Sequence, residues 1–220
     1  MSARHRASFA ARWILVVGIA AVAATEVFRH WSARAGQEVI PGWRDVAQAG
    51  LTIDSAPSSR VTIVLFSDFE CPYCAQAWRR LRQYASSHPG SATIVMHHFP
   101  LPHHRNAFDY ALIAECASQR GRLGAVSDTL YVNQHGAEHP SWGRYAAVAG
   151  FPDSAALGVC MQAASTHERV QAGIDLAGRL GIRGTPTLLI NDRMYTGVPS
   201  LRDLSARVAL AREQDGREKP

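Results

Sequence analysis

The stretch Val61-Thr-Ile-Val-Leu-Phe-Ser-Asp-Phe-Glu-Cys-Pro-Tyr-Cys74 is the most informative part of the sequence, because an apolar run leads directly into two closely spaced cysteines. Residues 61–66 are β-branched or otherwise apolar, which predicts a buried strand. After the cysteines, apolar residues recur at helical spacing toward Ser86, and Pro72 falls in the first helical turn, where its missing N–H has no cost. The cysteines are therefore predicted at a junction between a strand and a helix.

This location gives the two cysteines different chemistry. Unpaired N–H groups and the positive end of the helix dipole favour a thiolate at Cys71, which we expect at an exposed helix start. Cys74 is expected to be buried one helical turn further on, where it can attack a mixed disulfide formed at Cys71 and release the partner. A Cys-x-x-Cys motif can also be half of a zinc site, but no second such motif or Cys/His pair occurs at ligand spacing. The pattern therefore favours a redox pair over a zinc site.

A second informative element is Gly184-Thr-Pro-Thr187, which is followed by the apolar run Leu188–Ile190 and the turn residues Asn191 and Asp192. A proline is tolerated at the opening of a strand, where the first hydrogen bond of the ladder can be missing. We therefore predict a strand that begins just after Pro186.

Together, these elements resemble the thioredoxin superfamily, and they resemble its DsbA-like branch most closely. The similarity extends from about Val61 to Gly197, and four ordered blocks carry it. They are Phe66–Cys74, Phe99–Leu101 with His104 and Ala107, Ala114–Cys116, and Leu180–Thr187.

The resemblance implies an α/β, thioredoxin-like fold with an inserted helical domain at about residues 104–180, within a domain covering residues 58–220. Helical apolar spacing within 107–117, 157–164 and 170–180 agrees with such an insertion. Strands at Ile94–Phe99 and Thr187–Ile190 and a last helix near Leu201–Arg212 are expected to complete the domain.

The resemblance also assigns roles to individual residues. It implies that Pro186 is cis and faces the cysteines, so that the expected catalytic residues are Cys71, Cys74 and Pro186. Residues beside them are expected to bind substrate, namely Pro72, Tyr73 and Thr185. Members of the family with cysteines at the positions of Cys116 and Cys160 lead us to expect a structural disulfide between these two, although two separate buried thiols are the alternative.

One position departs from a common thioredoxin-like pattern. An acidic side chain often lies six residues before the first cysteine, buried beneath it, but the residue here is Leu65. Asp68 and Glu70 are nearer in sequence, and either could replace this acid, but we favour the interpretation that both are solvated surface residues. Without a buried acid, water or the substrate would have to accept the proton of Cys74.

The amino terminus is typical of a targeting segment. Three arginines, Arg4, Arg6 and Arg12, precede an uncharged run over residues 13–25, which predicts a signal peptide or membrane anchor at residues 1–25. Residues 26–57 have poor periodicity and recurrent glycine, and we interpret them as a tether. The folded domain is therefore expected outside the cytoplasm, in the periplasm or secreted, with anchoring by residues 13–25 left open. In such a compartment four cysteines can stay oxidised.

Composition excludes several other classes of function. Four of the five net positive charges come from the first 34 residues, so the remainder lacks the basic face that nucleic-acid binding needs. The only lysine is Lys219, which leaves no candidate for Schiff-base chemistry or a phosphate-binding loop. His97 and His98 are neighbours on a predicted strand and point to opposite faces, and with His103 and His104 they are interpreted as satisfied or exposed rather than as metal ligands. No metal and no cofactor is expected.

These observations favour an exported thiol:disulfide oxidoreductase. Its expected partners are the thiols or disulfides of exported proteins, together with an unidentified membrane redox partner. The alternative is a soft-metal-binding protein, such as a metallochaperone, that grips copper with Cys71 and Cys74. Oxidase and reductase directions both remain open. An isomerase is least favoured, because dimeric isomerases of this superfamily carry a separate amino-terminal dimerisation domain, and the tether before Pro57 is too short and irregular to form one.

Overall fold

A computed structural model describes residues 38–134 and 142–217 of the 220-residue chain. The expected targeting segment at 1–25 and the first part of the tether lie outside these residues. Among the helices that are described, none combines the length and the apolar character needed to cross a bilayer.

A five-stranded sheet, in the spatial order β1-β3-β2-β4-β5, forms the centre of the fold. Strands β2 and β3 are parallel, and every other pair is antiparallel. The central strand β2 is buried on nearly its whole length, which is why its sequence is a continuous apolar run rather than an alternating one. The strands are β1 Leu51–Asp54, β2 Thr62–Ser67, β3 Thr93–His98, β4 Thr187–Ile190 and β5 Arg193–Thr196.

Three helices belong to the α/β part: α1 Trp43–Gln48, α2 Pro72–Ser87 and α8 Leu201–Arg217. Helix α2 makes the crossover that two parallel strands require, from β2 to β3. It buries Cys74, Trp78 and Leu81, which recur every three or four residues and therefore share one face. The predicted strand, helix and last helix are thus present, and only their ends differ.

The helical insertion is also present between β3 and β4. It contains α3 Ala107–Ser118, α4 Leu123–Val132, α5 Trp142–Ala149, α6 Ser154–Gln162 and α7 Ala164–Arg179. The helical spacing expected through residue 164 is interrupted at Ala163, whose ψ of 131° is extended and separates α6 from α7. Trp142 and Tyr145 pack within the insertion, and Tyr145 lies edge-on to Tyr110 at 5.8 Å.

The tether interpretation is wrong from residue 38 onward. Glu38–Ile40 lie along β5, where Ile40 donates to the carbonyl of Asp192 at 2.8 Å and Val39 bridges to Arg193. Strand β1 then covers the outer edge of β3. Gly50 permits this approach, because a Cβ there would lie 2.3 Å from Val95 Cγ1. The glycine that seemed to mark a loop instead marks close packing.

Candidate active site

Cys71 is the N-cap residue of α2, and Pro72 is the first residue of the helix. The Cys71 carbonyl accepts hydrogen bonds from the N–H groups of Cys74 at 3.0 Å and Ala75 at 3.2 Å, so the helix begins at the cysteine itself. Pro72 and Tyr73 are exposed, and Tyr73 exposes 61% of its surface. The expectation of an exposed Cys71 is wrong, since only 4% of this residue is exposed.

The two thiols hold their protons very differently. A hydrogen bond from Cys74 is the main cause that lowers the pKa of Cys71 to about 5, and burial opposes it. The Thr185 hydroxyl and the backbone N–H groups of Cys74 and Tyr73 lower it further. Burial, and then the hydrogen bond donated to Cys71, raise the pKa of Cys74. Near neutral pH the negative charge therefore lies on Cys71 and the proton on Cys74.

The fold brings the second predicted element to the cysteines. Strands β2 and β4 are antiparallel neighbours, with Phe66 opposite Thr187, so the start of β4 meets the end of β2. The Thr185–Pro186 peptide bond is cis, and Pro186 is buried. The Cys71 Sγ atom lies 3.5 Å from the Thr185 carbonyl oxygen.

Asp68 is not a solvated residue, contrary to the sequence interpretation. It is 1% exposed, and its carboxylate accepts hydrogen bonds at 2.7 Å from the N–H groups of Glu70 and Leu101 and lies 2.7 Å from His104 Nδ1. The reason is topological: β2 and β3 are parallel, so the loops that follow them meet at the same end of the sheet. Asp68 thereby joins the cysteine loop to the Leu101–His104 loop, and its own N–H points at Cys74 Sγ from 3.4 Å.

Glu70 and Gln134 fix the same loop from the insertion side. The Glu70 carboxylate accepts hydrogen bonds from the N–H of Asn106 at 2.6 Å and from its side chain at 3.0 Å, so Glu70 is also not simply solvated. Gln134, just after α4, donates to the carbonyls of Phe69 at 2.7 Å and Cys71 at 2.9 Å. No motif marked Gln134, and α4 itself was not predicted.

Two further contacts tie α4 to the cysteine-bearing elements. The Ser67 and Tyr131 hydroxyls, both buried, lie 2.6 Å apart. The Trp78 indole N–H donates to Asp128 Oδ1 at 2.6 Å. Helix α4 therefore packs directly behind the cysteines.

The paired histidines of β3 face opposite sides of the sheet, as predicted. His97 stacks on Phe66 at 5.0 Å between ring centroids, and its Nε2 lies 2.7 Å from the Val46 carbonyl; burial lowers its pKa. His98 Nε2 instead lies 3.3 Å from Glu115 of α3. Within the described residues, no group of three or more His, Cys, Asp or Glu side chains is arranged to hold a metal ion.

The remaining two cysteines lie far along the chain from the first pair and close to each other. The Sγ atoms of Cys116 in α3 and Cys160 in α6 are 2.07 Å apart, and the two residues are separated by 44 positions. Cys71 and Cys74 are both unlinked thiols in this structure.

Comparison with known proteins agrees with this architecture. A family model described as thioredoxin matches residues 55–209. The fold resembles that of a periplasmic thioredoxin-like protein from Salmonella enterica serovar Typhimurium, with a TM-score of 0.65 and 21% identity over 79% of this chain and 98% of that one. It also resembles Pseudomonas aeruginosa DsbA2, with a TM-score of 0.60 and 25% identity over 73% of this chain and 93% of that one.

Among curated relatives, a Na(+)/H(+) antiporter NhaA 1 from Mycolicibacterium gilvum is 29% identical over 64% of this chain. The match covers only 23% of that antiporter, so the chain spans about a quarter of the length of the relative it matches. Since the family model covers most of the chain and the structural neighbours share its fold, the chain belongs to the thioredoxin family and resembles the DsbA-like proteins within it.

Proposed function

We propose that the chain is an exported thiol:disulfide oxidoreductase that exchanges disulfides with extracytoplasmic proteins through Cys71 and Cys74. The Cys71 thiolate attacks a disulfide of the partner, forming a mixed disulfide and releasing one partner sulfur as a thiol. Cys74 then attacks Cys71, forming the Cys71–Cys74 disulfide and releasing the second partner thiol. Two electrons pass to the partner in this direction, and the same steps in reverse order oxidise the partner.

The observation that carries this proposal is the division of charge and proton between the two cysteines. A lowered pKa at the helix start makes Cys71 the thiolate that attacks, and burial keeps Cys74 protonated until the mixed disulfide has formed. A pair of equivalent metal ligands has no need of this asymmetry.

Substrate contact is proposed for Pro72, Tyr73 and Thr185. Pro72 and Tyr73 are exposed next to Cys71, so a bound partner would cover them. The Thr185 carbonyl, 3.5 Å from Cys71 Sγ, lies where a partner segment would run past the sulfur. We assign Pro186 to holding that segment in place, with Cys71 and Cys74 as the reacting groups. Cys116 and Cys160 are assigned a structural disulfide.

Trapping tests the exchange mechanism. We expect Cys74→Ala to accumulate mixed disulfides on Cys71, because the attacking thiol remains and the releasing thiol is gone. Cys71→Ala is the matched control and is expected to trap almost nothing. Pro186→Ala, with both cysteines intact, is expected to raise trapping above the wild type. Equal trapping by the two cysteine variants would refute the mechanism.

A thiol count with metal analysis separates exchange from soft-metal binding. Protein purified without reductant is expected to hold an oxidised Cys71–Cys74 pair and no bound metal. Stoichiometric copper on two free thiols would instead support a metallochaperone.

The proposed location is extracytoplasmic, with residues 1–25 acting as a signal peptide or anchor and an unidentified membrane redox partner recycling the pair. The arginines before an apolar run support this location. The similar Salmonella protein is described as periplasmic, which agrees with it. A fusion of residues 1–60 to a reporter that is active only after export is expected to give signal, and a silent cytosolic fusion would refute export.

A further inference from the structure

Cys74 is completely buried, yet it must give up its proton when it attacks the mixed disulfide. A negative charge then develops on a sulfur that is shielded from solvent, and burial disfavours that charge. Among the hydrogen bonds of the described residues, the donor to Cys74 Sγ is the backbone N–H of Asp68, which lies 3.4 Å away. The position of this N–H group therefore bears on how readily Cys74 reacts.

The peptide group that carries this N–H is held from its opposite side. Its carbonyl belongs to Ser67, at the end of β2, and accepts a hydrogen bond from the Phe99 N–H at 2.8 Å. The N–H and C=O of a planar trans peptide point in opposite directions, so fixing the carbonyl toward the end of β3 aims the N–H at Cys74. The Asp68 carbonyl in turn accepts from the Cys71 N–H at 3.2 Å, which closes the turn into α2.

The Asp68 side chain ties the same residue to the loop that follows β3. Its Oδ1 accepts from the Glu70 N–H at 2.7 Å, a local turn that aspartate favours. Its Oδ2 accepts from the Leu101 N–H and lies 2.7 Å from Nδ1 of His104, which must be the donor because a carboxylate only accepts. The carboxylate is completely buried, whereas the His104 side chain is 20% exposed. Loss of one donor would leave a buried charged oxygen unsatisfied, which favours a shift of Asp68.

We infer that Asp68 supplies, through its backbone N–H, the hydrogen bond that stabilises negative charge on Cys74 Sγ in the second exchange step, and that His104 is the positioning residue that holds Asp68 in place. In that step Cys74 Sγ loses its proton and bonds to Cys71 Sγ. The bond between Cys71 and the partner sulfur breaks, and the departing sulfur takes up a proton. Atoms and electrons therefore balance without a further reactant.

This inference rests on the proposed function, and it concerns only the second of the two steps. The titratable groups around Cys74 are Cys71 on the same helix, Tyr131 on α4 and Asp68 itself, and His104 acts through Asp68. Neither Asp68 nor His104 is among the groups that shift the pKa of Cys71. Attack by Cys71 is therefore expected to be independent of the bond between Asp68 and His104.

Reaction of the reduced protein with 5,5′-dithiobis(2-nitrobenzoate) measures both steps in one experiment. Attack by Cys71 releases one coloured thionitrobenzoate in a second-order phase. Attack by Cys74 on the mixed disulfide releases the other in a first-order phase. The two rate constants therefore report on the two cysteines separately.

Three variants isolate the hydrogen bond to Asp68. His104→Ala removes the donor. His104→Asn is the conservative variant, because asparagine Nδ2 lies as far along its side chain as imidazole Nδ1 and can donate without a positive charge. His103→Ala is the matched control, since it removes the exposed imidazole next in the sequence, whereas it is His104 that is bonded to Asp68.

Weakening of a hydrogen bond to a charged sulfur is expected to slow the first-order phase roughly threefold to tenfold in His104→Ala. The pH midpoint of that phase is expected to move upward, because the Cys74 thiolate is less well stabilised. His104→Asn is expected to restore the rate and the midpoint to within about twofold and about 0.3 pH units of the wild type. His103→Ala is expected to match the wild type, and the second-order phase is expected to stay within about twofold in all three variants.

Replacement of Asp68 itself gives a larger perturbation at the same place. Asp68→Ala removes the whole anchor and is expected to slow the first-order phase at least about tenfold. Thermal unfolding of the reduced protein shows whether this variant folds, and the His104 variants decide the question where it does not.

The remaining outcomes overturn the inference or its foundation separately. A first-order phase in His104→Ala as fast as that of the wild type overturns the inference while leaving the exchange function intact. Equal slowing of both phases also overturns it, because Asp68 and His104 would then only maintain the shape of the loop. A first-order phase as slow in His104→Asn as in His104→Ala overturns the role of the hydrogen bond. A wild-type protein with no first-order phase would instead refute the proposed function.

Discussion

Replacing Cys74 is expected to raise the pKa of Cys71, because the hydrogen bond from Cys74 is the largest of the causes that lower that pKa to about 5. Cys74→Ala removes the donor, whereas Cys74→Ser keeps a hydroxyl at the same place, so the rise is expected to be larger for Ala. The Thr185 hydroxyl and the Tyr73 N–H remain in both variants. The pKa of Cys71 is therefore expected to stay below the ordinary value of about 8.5.

The size of the effect on reactivity follows from ionisation and nucleophilicity together. At pH 6 a thiol of pKa about 5 is roughly 90% ionised, against roughly 0.3% for an ordinary thiol, a ratio of about 300. A thiolate loses nucleophilicity with a Brønsted slope of about 0.4–0.5, so a pKa lower by about 3.5 costs a factor of about 40. Cys71 is thus expected to react roughly eightfold faster than an ordinary thiol at pH 6.

The assay is iodoacetamide alkylation of the reduced proteins across pH, with each alkylated cysteine located by peptide mass mapping. The midpoints for Cys71 are expected to rise in the order wild type, Cys74→Ser, Cys74→Ala. In Cys71→Ala, the remaining Cys74 is expected to react slowly with no midpoint below about pH 9, because burial raises its pKa. A common midpoint for the first three proteins, or a wild-type midpoint near 8.5, would refute the reasoning.

Three further outcomes are expected. Cys116→Ala with Cys160→Ala removes a crosslink over 44 positions and is expected to lower the free energy of unfolding by about 4 kcal/mol, measured by urea denaturation; unchanged stability would contradict the proposed disulfide. Gln134→Ala removes both side-chain hydrogen bonds to the cysteine loop, so amide hydrogen exchange at residues 69–71 is expected to accelerate relative to Gln134→Asn, and equal rates would exclude this role. The lowered pKa of Cys71 stabilises the reduced fold most at pH values above the unfolded thiol's pKa. This contribution is lost as pH falls through about 5, so the Tm of the reduced protein is expected to drop relative to the oxidised protein between about pH 8 and 5, and a constant difference would contradict it.

The sequence was sufficient to predict those helices and strands whose pattern of apolar residues matches the way they are buried in the fold. Strand β2 is apolar throughout because it is central, and α2 repeats its apolar residues because only one face is buried. Pro186 could be placed beside the cysteines only through the family resemblance, since a proline before a strand is common and the antiparallel pairing of β2 with β4 is a long-range property.

The parts that the sequence did not reveal are set by contacts between distant segments. Asp68 looks like a surface residue by type, but parallel pairing of β2 and β3 brings three donors to it from two loops. Gln134 and Tyr131 lie on or just after α4, a helix with no recognised motif, and their roles follow only from where α4 packs. Likewise, the irregular pattern of residues 38–57 does not mark an unpacked tether. These residues pair with β5 through Val39 and with β3 through strand β1.

The way in which Glu38–Ile40 joins the sheet has a practical consequence for attaching this domain to a surface or to another protein. Val39 of this segment pairs with Arg193, Arg193 pairs with Ile190 of β4, and Ile190 pairs with Ile63 near the start of β2. The cysteines instead follow Ser67, at the other end of β2. Four residues of strand correspond to roughly 13 Å, so the chain enters the domain about that far along the sheet from the cysteine end. A linker or immobilisation tag joined directly before Glu38 therefore holds the domain at the opposite end of its sheet and leaves the approach to Tyr73 and Cys71 open.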